Sequence, residues 1–174
     1  YKLVVYDNRK NSPNTARAWN KLTMQATCEF VCFIDSDAFV PKIEPCWLTR
    51  MMETFTDPKC RIVVPITNNC STPAQKVPEE PYPAAIRHHG EWSGFCFLFH
   101  KSLLIQTGPF DEEFVGYGQD SEFAVRLERT TGGAYIRRDV FVEHLHGASF
   151  KADPDYARAD REYAQKLYLE KTAR

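Results

Sequence analysis

Six apolar runs of five to seven residues, rich in β-branched and aromatic side chains, recur along the chain between segments whose apolar residues fall at helical spacing. This alternation limits the possible folds more than any other feature of the sequence. Short strands with helices between them bury both apolar surfaces when the helices cover the two faces of one sheet, so an α/β fold with a largely parallel sheet is expected. KLVVY, residues 2–6, is β-branched and ends at Asp7 and Asn8, which favour turns, so it reads as a buried strand entering a loop. In residues 14–27, Ala16, Trp19, Leu22 and Ala26 keep helical spacing behind a cap at Asn14 or Thr15. FVCFI then reads as a strand, PCWLTRMMETF as a helix opening at Pro45, and CRIVVPI as a strand ended by Pro65.

Residues 67–91 are proline-rich and show neither period, so they read as a long loop of the kind used for lids and binding. Beyond it come the strand GFCFLFH and a short helix ended by Gly108. The helix QDSEFAVRLERTTG follows, ended by Gly132 and Gly133, then the strands AYIRR and VFVEHL and a charged amphipathic helix within 154–174. A length of 174 residues suits one domain, 1–174, with its own core. With 22 basic and 23 acidic side chains interspersed, the chain has no basic footprint for a phosphate backbone, and nucleic acid is not an expected partner. It contains no eighteen-residue apolar run and no leader-like start, so a soluble segment without a transmembrane span is expected. The six cysteines form no C-x-x-C pair and sit mostly in apolar runs. They read as reduced core side chains, which favours a reducing compartment.

Three stretches carry chemistry. In FIDSD, residues two apart on an extended backbone point the same way, so Asp35 and Asp37 aim at one point past a strand end. Two like charges there repel unless a cation intervenes, and Mg²⁺ or Mn²⁺ takes such oxygen ligands together with substrate phosphates. A turn with a helix cap accounts equally well for an isolated D-x-D. In GPFDEEFVGYGQDSEF, Gly116 and Gly118 allow close backbone approach and Asp120 falls in the first turn of a helix. There it is either a favourable N-terminal charge or a general base. In VFVEHLHGAS, His144 and His146 share a strand face, as metal ligands or as polar edge residues. Trp92 is a sugar-stacking ring or a core aromatic, and His88 and His89 read as solvated loop residues.

In this order, the aspartate after an opening strand, D-x-D, G-F-x-F, GPFDEEF...GYGQDSEFAVRL and VEHLHGAS together resemble family 2 glycosyltransferases of the GT-A fold. The long block is also similar to the W-G-x-G-E-D-x-E-F segment of inverting galactosyl- and N-acetylgalactosaminyltransferases. The resemblance runs from about residue 2 to residue 150. It implies a Rossmann-like, mixed but mainly parallel sheet flanked by helices. It also implies transfer of a sugar, with inversion, from a nucleotide-diphosphate sugar to a glycan, lipid or protein acceptor. A UDP-sugar donor is expected.

By the same resemblance Asp7 lies near the nucleobase, and Asp35 and Asp37 hold Mn²⁺ or Mg²⁺ on the diphosphate. His144 is the third contact to the metal, with His146 as its alternate, and Asp120 is the catalytic base. The family's glutamate before the base is here Gln119, which places one charge fewer beside Asp120. Acceptor contacts are expected from residues 67–91, Trp92, Gly94 and Gln119. The family's first strand and helix would precede Tyr1, so an N-terminally truncated fragment is expected, in the cytoplasm or peripheral at a membrane. Two rivals remain: a catalytically silent carbohydrate-binding or scaffold domain of the same shape, and a sugar nucleotidyltransferase. The second should carry a glycine-rich phosphate loop, and no G-x-G-x-x-G occurs.

Overall fold

A computed structural model describes residues 2–8, 13–79, 82–145 and 153–173. Among them the strands are β1 (Phe30–Ile34), β2 (Ala38–Phe39), β3 (Ile62–Thr67), β4 (Ala85–His88), β5 (Cys96–His100) and β6 (Ala134–His144). The helices are α1 (Thr15–Gln25), α2 (Trp47–Glu53), α3 (Leu103–Thr107), α4 (Gln119–Thr131) and α5 (Pro154–Thr172). The sheet runs β1-β5-β3-β6-β2, with β4 also paired to β6.

The α/β class and the mixed sheet are as expected, but the sheet is mostly antiparallel and not mainly parallel. Among the described strands only β3 and β6 pair in parallel; the β1–β5, β3–β5, β2–β6 and β4–β6 pairs are antiparallel. Both β1 and β3 are antiparallel to β5, so β1, β3 and β6 run the same way, as strands joined through helices should. Strand β5 enters between β1 and β3 in the reverse direction. Its leading residues therefore lie at the edge where β1 and β6 end.

Period-two burial divides the core into two layers. Val31 and Phe33, Phe97 and Phe99, and Ile62, Val64 and Ile66 face one side, where Trp19 of α1, Leu103 of α3 and Phe123 and Leu127 of α4 close over them. Cys96, Leu98, Val63, Val140 and Val142 face the other, against Met51 of α2. Trp19 is the hub of the first layer, with ring centroids 4.9 Å from Phe97 and 5.0 Å from Phe110. The Asn14 side chain caps α1 by accepting from the Arg17 amide at 2.7 Å. Asn20 makes paired hydrogen bonds to the backbone of Phe110, at 2.8 and 2.9 Å, which fixes the segment leading to α4.

Several local expectations are corrected. Residues 2–7 are not a strand: among the described residues no neighbour supplies a ladder, and Leu3 and Val5 lie exposed, Val5 at 87%. The stretch 67–91 is not all loop, because β4 and a 3₁₀ turn at Pro73–Gln75 form inside it. AYIRR and VFVEHL join into one strand, β6, whose register against β3 shifts between Pro65 and Ile66. Proline has no N–H to give to a ladder, which suits that break. Cys60, Cys70 and Cys96 are buried as small core side chains, but Cys28 and Cys46 are exposed. No helix among the described residues is long and apolar enough to cross a membrane.

Candidate active site

The common edge at the ends of β1 and β6 and the start of β5 brings together Asp35, Asp37 and His144. Chain leaving β1 turns at once: the Ala38 amide donates to the Asp35 carbonyl at 3.1 Å, and the Asp35 amide to the Phe95 carbonyl at 2.8 Å. After the turn, β2 pairs Ala38 with His144, and the Leu145 amide donates to the Asp37 carbonyl at 3.0 Å. Strand pairing thus brings the acidic turn and the end of β6 together. Ligand atoms of Asp35, Asp37 and His144 all lie within 4.8 Å of one another.

His144 is held firmly. It is 7% exposed, its ring stacks on Phe95 at 4.9 Å and 19°, and its amide donates to the Asn68 side chain at 2.8 Å. Nδ1 lies 3.1 Å from the Asn69 carbonyl, which can only accept, so the neutral ring carries its proton there. Nε2 is then the lone-pair nitrogen, 3.4 Å from the Asp37 carboxylate. Burial pushes the Asp35 carboxyl up to about 8, and the charges of Asp37 and Asp120 push the same way. Two carboxylates and one imidazole nitrogen are a suitable donor set for a hard divalent ion, whose charge would offset the burial and repulsion that raise the Asp35 carboxyl.

Asp120 sits in the first turn of α4, behind Gly118, whose φ of 83° is left-handed. Its carboxylate accepts from the Gly94 amide at 2.8 Å and the Ser121 amide at 2.9 Å, so both oxygens are oriented by backbone. Burial raises its pKa, the two amides partly offset that, and Glu91 adds to the rise. Gly94 is necessary here: a Cβ on it would stand 2.8 Å from the Trp19 ring and 3.2 Å from Cβ of Asp120. The loop residue Gln75 presents this glycine. It is fully buried, and its side-chain oxygen accepts from the Ser93 amide at 2.6 Å.

Other expected site residues lie elsewhere. Asp7 is exposed and outside the three-residue cluster. Trp92 takes the core reading: it is 1% exposed, with Phe97 at 5.2 Å and Phe123 at 6.5 Å, and has no open face for a sugar. Gln119 is 7% exposed, and its side-chain oxygen is buried without a hydrogen-bond partner among the described residues. His88 and His89 have protein partners, the Glu91 carbonyl at 2.9 Å and Glu128 at 2.6 Å. His146 and the glycine and serine after it lie outside the described residues.

Sequence reasoning did not single out Asn68, Asn69, Gln75 or Glu91. The Asn pair directly after a buried strand was a usable signal, because amides there commonly satisfy a neighbouring strand end. A family model described as "Glycosyl transferase family 2" matches residues 1–145. The "O-antigen biosynthesis protein RfbC" of Myxococcus xanthus is 23% identical over 158 residues, which cover 77% of this chain and 12% of that protein.

Proposed function

The chain belongs to glycosyl transferase family 2, and on that premise we propose that it moves a sugar, with inversion, from a nucleotide-diphosphate sugar to an acceptor hydroxyl. The observation that carries this reading is the convergence of Asp35, Asp37 and His144 on one point, with Asp120 close enough for its charge to act on Asp35.

Asp35, Asp37 and Nε2 of His144 would hold Mg²⁺ or Mn²⁺. When bound, the ion supplies Lewis-acid neutralisation of the leaving diphosphate, without a proton donor. The Asn69 carbonyl at Nδ1 selects the tautomer that leaves Nε2 for the ion, and the ladder between β2 and β6 sets the spacing between Asp37 and His144. Asp120 accepts the proton of the attacking acceptor hydroxyl. Its raised pKa makes it a better base than an ordinary aspartate, and the Gly94 and Ser121 amides keep its carboxylate from rotating away.

The relative's printed name suggests an acceptor in O-antigen assembly, so a growing surface polysaccharide is the acceptor class to try first. The test is a panel of nucleotide sugars, UDP-sugars first, incubated with the chain with and without Mn²⁺ and assayed for hydrolysis and for transfer. Metal-dependent turnover that Asp35→Asn abolishes is the expected result. No metal-dependent nucleotide binding and no turnover with any donor would favour the silent scaffold instead.

A further inference from the structure

Glu91 lies in the connection between β4 and β5, beside the start of α4. Its two carboxylate oxygens face different elements: one accepts from the Ser121 hydroxyl of α4 at 3.0 Å, the other from the Tyr168 hydroxyl of α5 at 2.7 Å. Ser121 follows Asp120 in sequence and donates its amide to the Asp120 carboxylate, so the chain Tyr168–Glu91–Ser121 ends on the residue that orients the base. A second contact between α5 and the same region is apolar. Ala164 and Leu167 bury against Phe114, with Tyr117 and Tyr168 packed alongside. Gly118 at the head of α4 fits between Phe114 and Ala164, where a Cβ would come within 2.9 Å of the Phe114 ring.

Resting on the transferase reading above, we propose that Glu91 is a positioning residue for Asp120, tethered by Tyr168 so that α5 braces the amino end of α4. The helix start has no acidic residue immediately before Asp120, because that place is filled by buried Gln119. Glu91 therefore brings a carboxylate beside the base, through its hydrogen bond to Ser121 thirty residues further on. Among the described residues the charged group acting on Asp120 is Glu91; α5 acts through Tyr168, and Gly94 and Ser121 contribute amides. The Tyr168 hydroxyl is held up to about 12 by burial and by Glu91, so it remains a donor throughout the working range.

The experiment compares Glu91→Gln, Tyr168→Phe and Ser121→Ala in the full chain. The Asp120 carboxyl is titrated by ¹³C NMR and assigned by its loss in Asp120→Asn; kcat and donor KM are measured alongside. Glu91→Gln removes the charge and keeps the shape, with one contact retained and the other reversed so that the amide donates to a hydroxyl oxygen, so the Asp120 midpoint should move to lower pH. Tyr168→Phe and Ser121→Ala keep the charge and cut the tether. Each should lower kcat on the order of tenfold at constant KM, within the hundredfold that a misplacement of about 1 Å can cost. An Asp120 midpoint unmoved by Glu91→Gln overturns the proposal, as does a loss in the tether variants that follows KM or thermal stability instead of kcat. A chain without transfer activity whose Asp120 titration still follows Glu91 overturns the transferase reading and leaves the brace standing.

Discussion

A carboxyl that titrates at about 8 in the folded chain, against 3.8 as its ordinary value, takes up a proton on folding anywhere between those two pH values. For Asp35 in metal-free protein the sign follows. Its contribution is most favourable below about pH 4 and declines as pH rises through 8. A divalent ion must displace this proton, so Mn²⁺ affinity should increase from pH 6 to pH 8 and level off above it. Calorimetric titrations at several pH values check this, and an affinity that does not change with pH would remove Asp35 as a ligand. Asp120→Asn should slow transfer by roughly a hundredfold to ten-thousandfold with donor binding retained, since general-base catalysis is worth about that much. A loss of less than about tenfold would take Asp120 out of that role. Gly94→Ala forces either Trp19 or Asp120 to move, because both stand nearer than a methyl group tolerates. Lost activity with a largely intact core is the expected outcome, read by kcat against circular dichroism. The nearness of Asp35 and Asp37 could be read from their spacing, but the backbone between them is a turn and not the extended strand expected, and their meeting with His144 depends on the pairing of β2 with β6. The place of Trp92 could not be read, since a tryptophan in a loop-like stretch looks the same in sequence whether its ring is open or buried.

At the scale of elements, α4 carries Asp120, the proposed base, and its start is the sensitive point. Gly118→Ala places a side chain at φ 83°, which costs about 1–2 kcal/mol in backbone strain, and pushes a methyl toward the Phe114 ring. It should both lower the melting temperature and reduce kcat. A Gly118→Ala protein with normal kcat would show that the helix start has slack. Helix limits were largely legible, because caps and glycines mark them locally: Asn14 opens α1 and Gly132 closes α4. The direction of β5 was not, because FVCFI and GFCFLFH have the same apolar pattern and nothing in either run records which way it crosses the sheet. Residues 2–7 show the opposite failure. Their β-branched pattern satisfies the local preference, but a strand exists only where a partner completes its ladder.

For the molecule as a whole, a site built from the ends of β1 and β6 and the head of α4 couples ligand binding to global stability. Mn²⁺ with UDP at about a hundred times their Kd should add about 2.7 kcal/mol. In a chain of this size that is a rise of roughly 5–10 °C in Tm. Thermal unfolding with and without a chelator measures it, and a Tm indifferent to both ligands would count against the shared pocket. The α/β class, the two apolar faces and the residue types of the site follow from the amino-acid order alone, because periodicity and capping act over a few positions and are written into the chain. The reversed strand, the Gly94 amide on Asp120, the clamp of Asn68 and Asn69 on His144 and the reach of α5 to Glu91 arise only in the folded molecule. Each joins residues tens of positions apart, and such contacts are selected by the burial of the entire core, which no short stretch of sequence encodes.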